Sequence, residues 1–200
     1  MNRLTLFALL STLSSTALAT AYELDTSHAS ATFSVKHLGV SNVAGVLGPI
    51  TGKVELDDAN PAMASIEATI DLKAIDTRWA KRDEHLRSPD FFDVEKFPTL
   101  MFKSTKVQKV SKTKLKITGD LTMHGVTKPV TLDAEISPEV ANPFSGNPTR
   151  AVTATGVIIR QDWNLKWQAP AEAVKVVGDE VKIAIETELV IRPAAPPATK

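Results

Sequence analysis

The sequence predicts an all-β protein: about eight antiparallel strands closed into a barrel, with one short helical lid segment. Three observations carry this. Over most of Tyr22 to Ile191, apolar and polar residues alternate with the two-residue period of a strand. Short turn signals, not helical crossovers, join the alternating runs, as antiparallel neighbours require. One stretch alone, Asp76 to Pro98, departs from the alternation. Alternating, half-buried strands build a sandwich or a barrel. Eight of them suit a closed barrel, whose interior holds either packed side chains or one ligand.

The elements follow in chain order. Tyr22 to His37 reads as a kinked strand, with Ala31, Phe33 and Val35 on one face. Val43 to Asp57 is the next, with Val46, Gly48, Ile50, Gly52, Val54 and Leu56 sharing a face and Pro49 marking a bend. Ser65 to Asp71 places Ile66, Ala68 and Ile70 on one side, continued by Leu72. Thr99 to Val110 resumes the pattern with Leu100 and Phe102. Leu115, Ile117, Gly119, Leu121 and Met123 alternate in the following strand, and "HGVTK" turns the chain. Val130, Leu132, Ala134 and Ile136 share the next inward face. A polar, proline-rich loop leads to a strand facing inward with Val152, Ala154, Gly156, Ile158 and Arg160. Val181, Ile183, Ile185, Thr187, Leu189 and Ile191 line the last.

The exceptional stretch reads "DTRWAKRDEHLRSPDFFDVEKFP". Trp79, Arg82, Asp83 and Leu86 recur at helical spacing, so Trp79 and Leu86 share a face. Asp76 and Thr77 are placed to accept hydrogen bonds from the free N–H groups of the helix start. Ser88 and Pro89 end the helix. Phe91, Phe92 and Phe97 follow at once. A charged helix with an aromatic tail, set among strands, reads as a lid or plug over something hollow or apolar.

These residues, continued to "TLMFKSTKV", resemble the signature of the YceI-like family of bacterial proteins. "FSVKHLGVSNVAGVLGPITGKVELDD", "LKITGDLTMHGVTKPVTLDAEI" and "IIRQDWNLKW" resemble further parts of the family, in the family's order. The resemblance implies a lipocalin-like barrel holding a long isoprenoid or similar lipid chain. It also allows a homodimer.

The chain ends read differently from the body. Arg3 precedes an apolar stretch from Leu4 to Leu18, and small-x-small sites end at Ala19 and Ala21. Residues 1–21 are therefore expected to be a signal peptide, directing export to the periplasm. The apolar core is shorter than the roughly 20 residues a membrane span needs. Residues 22–192 are expected to form the barrel domain, and 193–200 an extended or disordered tail. The sequence has no cysteine, which excludes thiolate metal sites and cysteine nucleophiles, and with none after the cleavage site a lipoprotein anchor is not expected. Loss of the leader removes Arg3 from a chain of 23 basic and 23 acidic residues, leaving a net charge of about −1. That balance argues against a nucleic-acid partner.

Pattern alone leaves the interior open, since small residues can fit a taper as well as border a cavity. With the resemblance, the inward positions become candidate ligand contacts. They are Phe33, Val35 and Val54; Ile66, Ala68, Ile70 and Phe102; Ile117, Gly119, Leu132 and Ala134; Ala154, Gly156 and Ile158; and Ile183 and Ile185. Arg160 and Asp162 join them at the strand end. An inward Arg160 needs a carboxylate, with Asp162 nearest in sequence and Asp83 or Glu84 on the lid as others. Such a pair would tie rim to lid, or Arg160 would contact a ligand head group. Asn164 stands where the family usually has glycine.

Catalysis has no support in the sequence. Asp83 and His85 are two residues apart on a helix and diverge. His28, His37, His85 and His124 lack the spacing of a metal motif, so no cofactor or metal is expected. No Gly-x-Ser-x-Gly elbow or phosphate loop occurs. Trp163 and Trp167 pack the outside of the barrel or close one end. An enzyme acting on a lipid, or an interaction module with a filled core, are the alternatives to a lipid-binding barrel.

Overall fold

The structure, a computed structural model, describes residues 19–168 and 175–191. The expected tail lies outside these residues, as does nearly all of the expected leader. The strands are β1 (Thr20–Leu24), β2 (Ser30–His37), β3 (Ser41–Val46), β4 (Ile50–Leu56), β5 (Ser65–Asp71), β6 (Thr99–Lys109), β7 (Lys114–Met123), β8 (Val126–Ile136), β9 (Val140–Ala141), β10 (Pro148–Ile159) and β11 (Val177–Ile191). The helix α1 spans Ala80–Arg87.

These segments occupy eight positions of one closed antiparallel barrel. β1 and β2 lie in series along the same edge of β11, with Tyr22 opposite Ile191 and Ala31 opposite Ile185. β3 pairs with β2 and β4 with β1. The two kinked strands expected from sequence are therefore each one barrel position broken in two. At the first break, Asp25 accepts from the Ser27 N–H at 2.9 Å, turning the chain out of the ladder. β5, β6, β7, β8 and β10 continue around to β11.

The second break shifts the inside–outside frame. Val46, expected inward, is 41% exposed, whereas Leu47 is 5% exposed. Val46 forms a bridge to Asp76, and the Leu47 N–H donates to the Ala31 carbonyl at 2.8 Å. The frame resumes at Ile50, buried as expected. The "HGVTK" turn is also shorter than expected: only His124 and Gly125 separate β7 from β8.

Between β3 and β6 the lid end has no continuous ladder, and residues 72–98 fill it. Eight residues make a helix too short to stand by itself, so α1 depends on what surrounds it. Its start differs from expectation. The Thr77 side chain accepts no backbone N–H of the helix start; its own N–H and hydroxyl both donate to Asp83 Oδ1, the former at 2.8 Å. Asp76 accepts instead from the Arg78 N–H at 2.6 Å. At the other end, the Ser88 N–H and hydroxyl donate to the carbonyls of the last turn, as a helix terminus needs. Phe91 and Phe92 then turn into the interior and are buried.

Candidate functional site

The barrel is hollow. An upper chamber of about 360 Å³ lies beneath the lid. It is bounded by Phe33, Val35 and Ile158 of the wall, and by Trp79, Leu86, Phe91 and Phe92 of the lid segment. A second chamber of about 150 Å³ lies deeper, between Val54, Ile66, Ala68, Ile70, Phe102, Ile117, Leu132, Ala134, Ala154 and Ile185. Leu47, Leu100 and Ile183 border both chambers, which makes them neighbours along the barrel axis. The upper volume falls within the range of ligand pockets, roughly 300–1,000 Å³.

Most of the inward positions read from the alternation lie on these walls. Gly119 and Gly156 do not. A Cβ on Gly119 would sit 2.4 Å from the Phe102 ring and 2.5 Å from the Lys103 carbonyl. One on Gly156 would sit 2.7 Å from Leu132 Cδ2. Both glycines let a neighbouring side chain lie flat against the wall, so their missing side chains are not cavity space. Met123 lines the upper chamber as its alternation required, but alternation gave no sign of the lining from Leu24, Leu47, Leu165 and Trp167, because their facing depends on breaks and turns.

Arg160 borders the upper chamber and is 3% exposed, but its partners differ from expectation. Nε donates to the Gly178 carbonyl at 2.9 Å. Nη1 donates to the carbonyls of Leu165 (2.5 Å) and Trp167 (3.0 Å). Nη2 donates to the Val177 carbonyl at 3.2 Å and to Asp179 at 3.5 Å. The guanidinium fork has five N–H donors, and these contacts engage them all. Arg160 thus fastens the segment after β10 to the start of β11. Asp162 turns away and meets Lys128 at 3.4 Å on the surface, so it neither pairs with Arg160 nor lines a chamber. A short helical turn over Arg160–Trp163 sends these two side chains in different directions.

Trp163 closes the barrel wall from within, its Nε1 donating to the Leu121 carbonyl at 3.0 Å. Trp167 stands at the chamber edge, 5.3 Å from the Phe91 ring and 5.1 Å from that of His85. His85 is also edge-on to Phe91 at 5.0 Å. These three rings form one aromatic contact between the lid and the chain after β10. His85 Nε2 lies 3.0 Å from Asp90, whereas the Asp83 carboxylate is held by Thr77. The two groups face different partners, which fits the divergence expected from their spacing.

Arg82 borders the chamber too. Its Nε and Nη2 donate to the Thr77 hydroxyl (2.7 Å) and carbonyl (2.8 Å), and its guanidinium lies 5.4 Å from the Trp79 ring centre. Lys36, His37 and Lys81 share this rim.

The far end is stitched by polar contacts. Arg150 makes a paired contact with Asp58, and the Tyr22 hydroxyl donates to Glu139 at 3.3 Å. The Asp58 contact raises the Arg150 pKa, and burial raises that of Tyr22. Outside the barrel, at the break between β1 and β2, Asp25, His28 and Glu188 approach one another within 4.8 Å. The Ser27 hydroxyl and His28 hold the Asp25 carboxyl down at about 2, and hydrogen bonding to Asp25 raises the His28 pKa. Sequence spacing could not show this cluster, because Glu188 arrives from the last strand.

A closed antiparallel barrel with an apolar, two-chamber interior and a helical lid defines the class. The chain belongs to the YceI-like domain family, whose sequence profile matches residues 22–189. The UPF0312 protein plu2095 of Photorhabdus laumondii is 42% identical over 154 residues, covering 76% of this chain and 79% of that one. Among solved structures, the Campylobacter jejuni YCEI protein superposes with a TM-score of 0.67 at 29% identity, covering 79% of this chain and 90% of its own. A polyisoprenoid binding domain from Saccharophagus degradans shares the fold, with a TM-score of 0.62, 15% identity, and coverage of 88% and 99%.

Proposed function

We propose that this protein binds a long apolar chain, a polyisoprenoid or similar lipid, along the barrel axis. The observation that carries the reading is the pair of neighbouring apolar chambers that share Leu47, Leu100 and Ile183. An elongated guest fits this arrangement better than a compact one. Each buried CH₂ contributes about 0.8 kcal/mol, so one isoprene unit contributes on the order of 3–4 kcal/mol before ordering costs. The binding named for the Saccharophagus degradans domain supports the same guest class.

The protein's role in this reading is retention, not turnover. The lid's aromatic face shields the guest from water, and transport, storage or stress protection are the uses such retention serves. The leader-like residues 1–21 support a periplasmic setting. Organic extraction of the purified full chain, followed by mass spectrometry, tests the proposal. Recovery of a long isoprenoid or lipid in near-stoichiometric amount is the expected result. A protein that carries no lipid and takes up none from a detergent-solubilised polyprenol would overturn it.

A further inference from the structure

The β6–β7 hairpin carries a charge pattern that the cavity does not use. From Thr99 to Gly119 the chain has six lysines and no acidic residue, in a protein of formal net charge zero. Two of the six are neutralised: Lys103 meets Glu67 at 3.0 Å, and Lys116 meets Asp133 at 2.6 Å. Lys106, Lys109, Lys112 and Lys114 are exposed and have no carboxylate within ion-pair distance among the described residues.

Apolar groups stand beside them. Val110, at the hairpin tip, is 63% exposed. The N–H groups of Val110 and Ser111 both donate to the Lys114 carbonyl, at 2.9 and 3.1 Å, which fixes the turn. The short helical turn Pro61–Met63 packs beside β6 and presents Met63, 74% exposed. The connection from β8 to β10, at the same barrel end, presents Phe144, 98% exposed. The lower chamber reaches toward this end, where Ala64, Leu115 and Ile136 border it.

Unpaired lysines around apolar tips match the interface of an anionic bilayer. Lysines meet the head-group charge, and the apolar side chains enter the head-group boundary. Nucleic acid is also anionic, but its recognition uses arginine forks and stacking aromatics. The hairpin has neither between Lys103 and Gly119. We propose that the barrel end led by the β6–β7 hairpin docks on the surface of an anionic phospholipid bilayer. The docking goes beyond the lipid-binding reading and rests on it only for its purpose, which is to bring the lower chamber to the source of a guest.

Flotation of the full chain with vesicles tests this. Binding is expected to phosphatidylcholine vesicles containing phosphatidylglycerol, not to pure phosphatidylcholine, and salt should release it. Each lysine at the surface is worth about 1 kcal/mol, or about fivefold. Lys109→Glu combined with Lys112→Glu should therefore weaken binding by about 25-fold or more. Val110→Ser should weaken it further without changing the salt dependence. All three positions are exposed, so the variants are expected to fold, which circular dichroism checks. No flotation of the wild type, or equal flotation of the double variant, overturns the proposal. So does tight binding to duplex DNA that Val110→Ser leaves unchanged while the vesicles stay bare. Lipid content is measured on the same samples, so an empty barrel that still floats counts against the ligand and for the docking.

Discussion

Thr77 donates both its N–H and its hydroxyl to Asp83 Oδ1, six residues further along the chain. The carboxylate is 7% exposed and sits inside the first turn of α1, so one acidic side chain fixes the entry to the lid. Arg82 donates to the same Thr77 hydroxyl, which links the latch to the chamber rim. Hydrogen bonds to a charged group contribute roughly 1.5–3 kcal/mol each. Asp83→Ala should lower stability by about 2–4 kcal/mol and loosen the lid. Denaturant unfolding checks the first effect, and faster release of a bound polyprenol checks the second. An unchanged release rate would show that the latch does not hold the lid.

Arg160 binds four carbonyls on two segments, and no lysine can reproduce that fork. Arg160→Lys should cost on the order of 3 kcal/mol, because several buried carbonyls lose their donors. If Arg160 instead read a head group, the variant would lose ligand affinity while its unfolding midpoint stayed in place. The two measurements separate these roles.

The lower chamber sets how much chain can enter. Ala154 is 7% exposed and borders that chamber, so Ala154→Leu places extra volume where a guest would end. Overpacking costs about 1–3 kcal/mol where no space exists, and less here. The lipid extracted from this variant should be shorter than that from the wild type, by mass spectrometry. An identical chain-length distribution would place the guest elsewhere.

Gly119 tests the packing of the wall. Because a Cβ there meets both the Phe102 ring and the Lys103 backbone, Gly119→Val should destabilise the barrel by about 1–3 kcal/mol or more. Gly119→Val paired with Phe102→Leu should recover part of the loss. Thermal unfolding of the single and double variants decides the matter, and additive losses would refute the close approach.

The Asp25–His28 contact predicts a window of pH. Asp25 titrates at about 2 in the folded protein, so its contribution is present above the ordinary carboxylate pKa and is lost as pH falls toward that value. The His28 pKa is raised, so its contribution is full below about 6.5 and fades as pH rises through the folded value. The melting-temperature difference between wild type and His28→Asn should be largest between about pH 4 and 6.5 and shrink on both sides. A difference that stays constant across the range would remove the pair from the account.

Where a wall strand runs unbroken, its facing was plain in the residue pattern. Ile183 and Ile185 of β11, and Ile66, Ala68 and Ile70 of β5, point inward as a two-residue period requires. The pattern failed where the chain leaves the ladder. Leu47 took the inward place expected of Val46, because the break at Gly48 and Pro49 changes the frame. Asp162 looked like the partner of Arg160 because it is close in sequence, yet a helical turn separates their directions. The lid's site was better signalled: Trp79 and Leu86, expected on one face, and Phe91 and Phe92 of the aromatic tail border the upper chamber, whereas Phe97 packs on His124 instead.

By itself, the sequence determined an antiparallel barrel, a single helical insert and the lack of any cysteine chemistry, because strand period, helix period and composition are local properties. The tertiary structure decided that the interior is open, that Arg160 is spent on backbone carbonyls, and that Gly119 and Gly156 serve packing. Alternation tells which way a side chain points. It does not tell how far away the opposite wall stands, and that distance is fixed only when β1 through β11 close on one another.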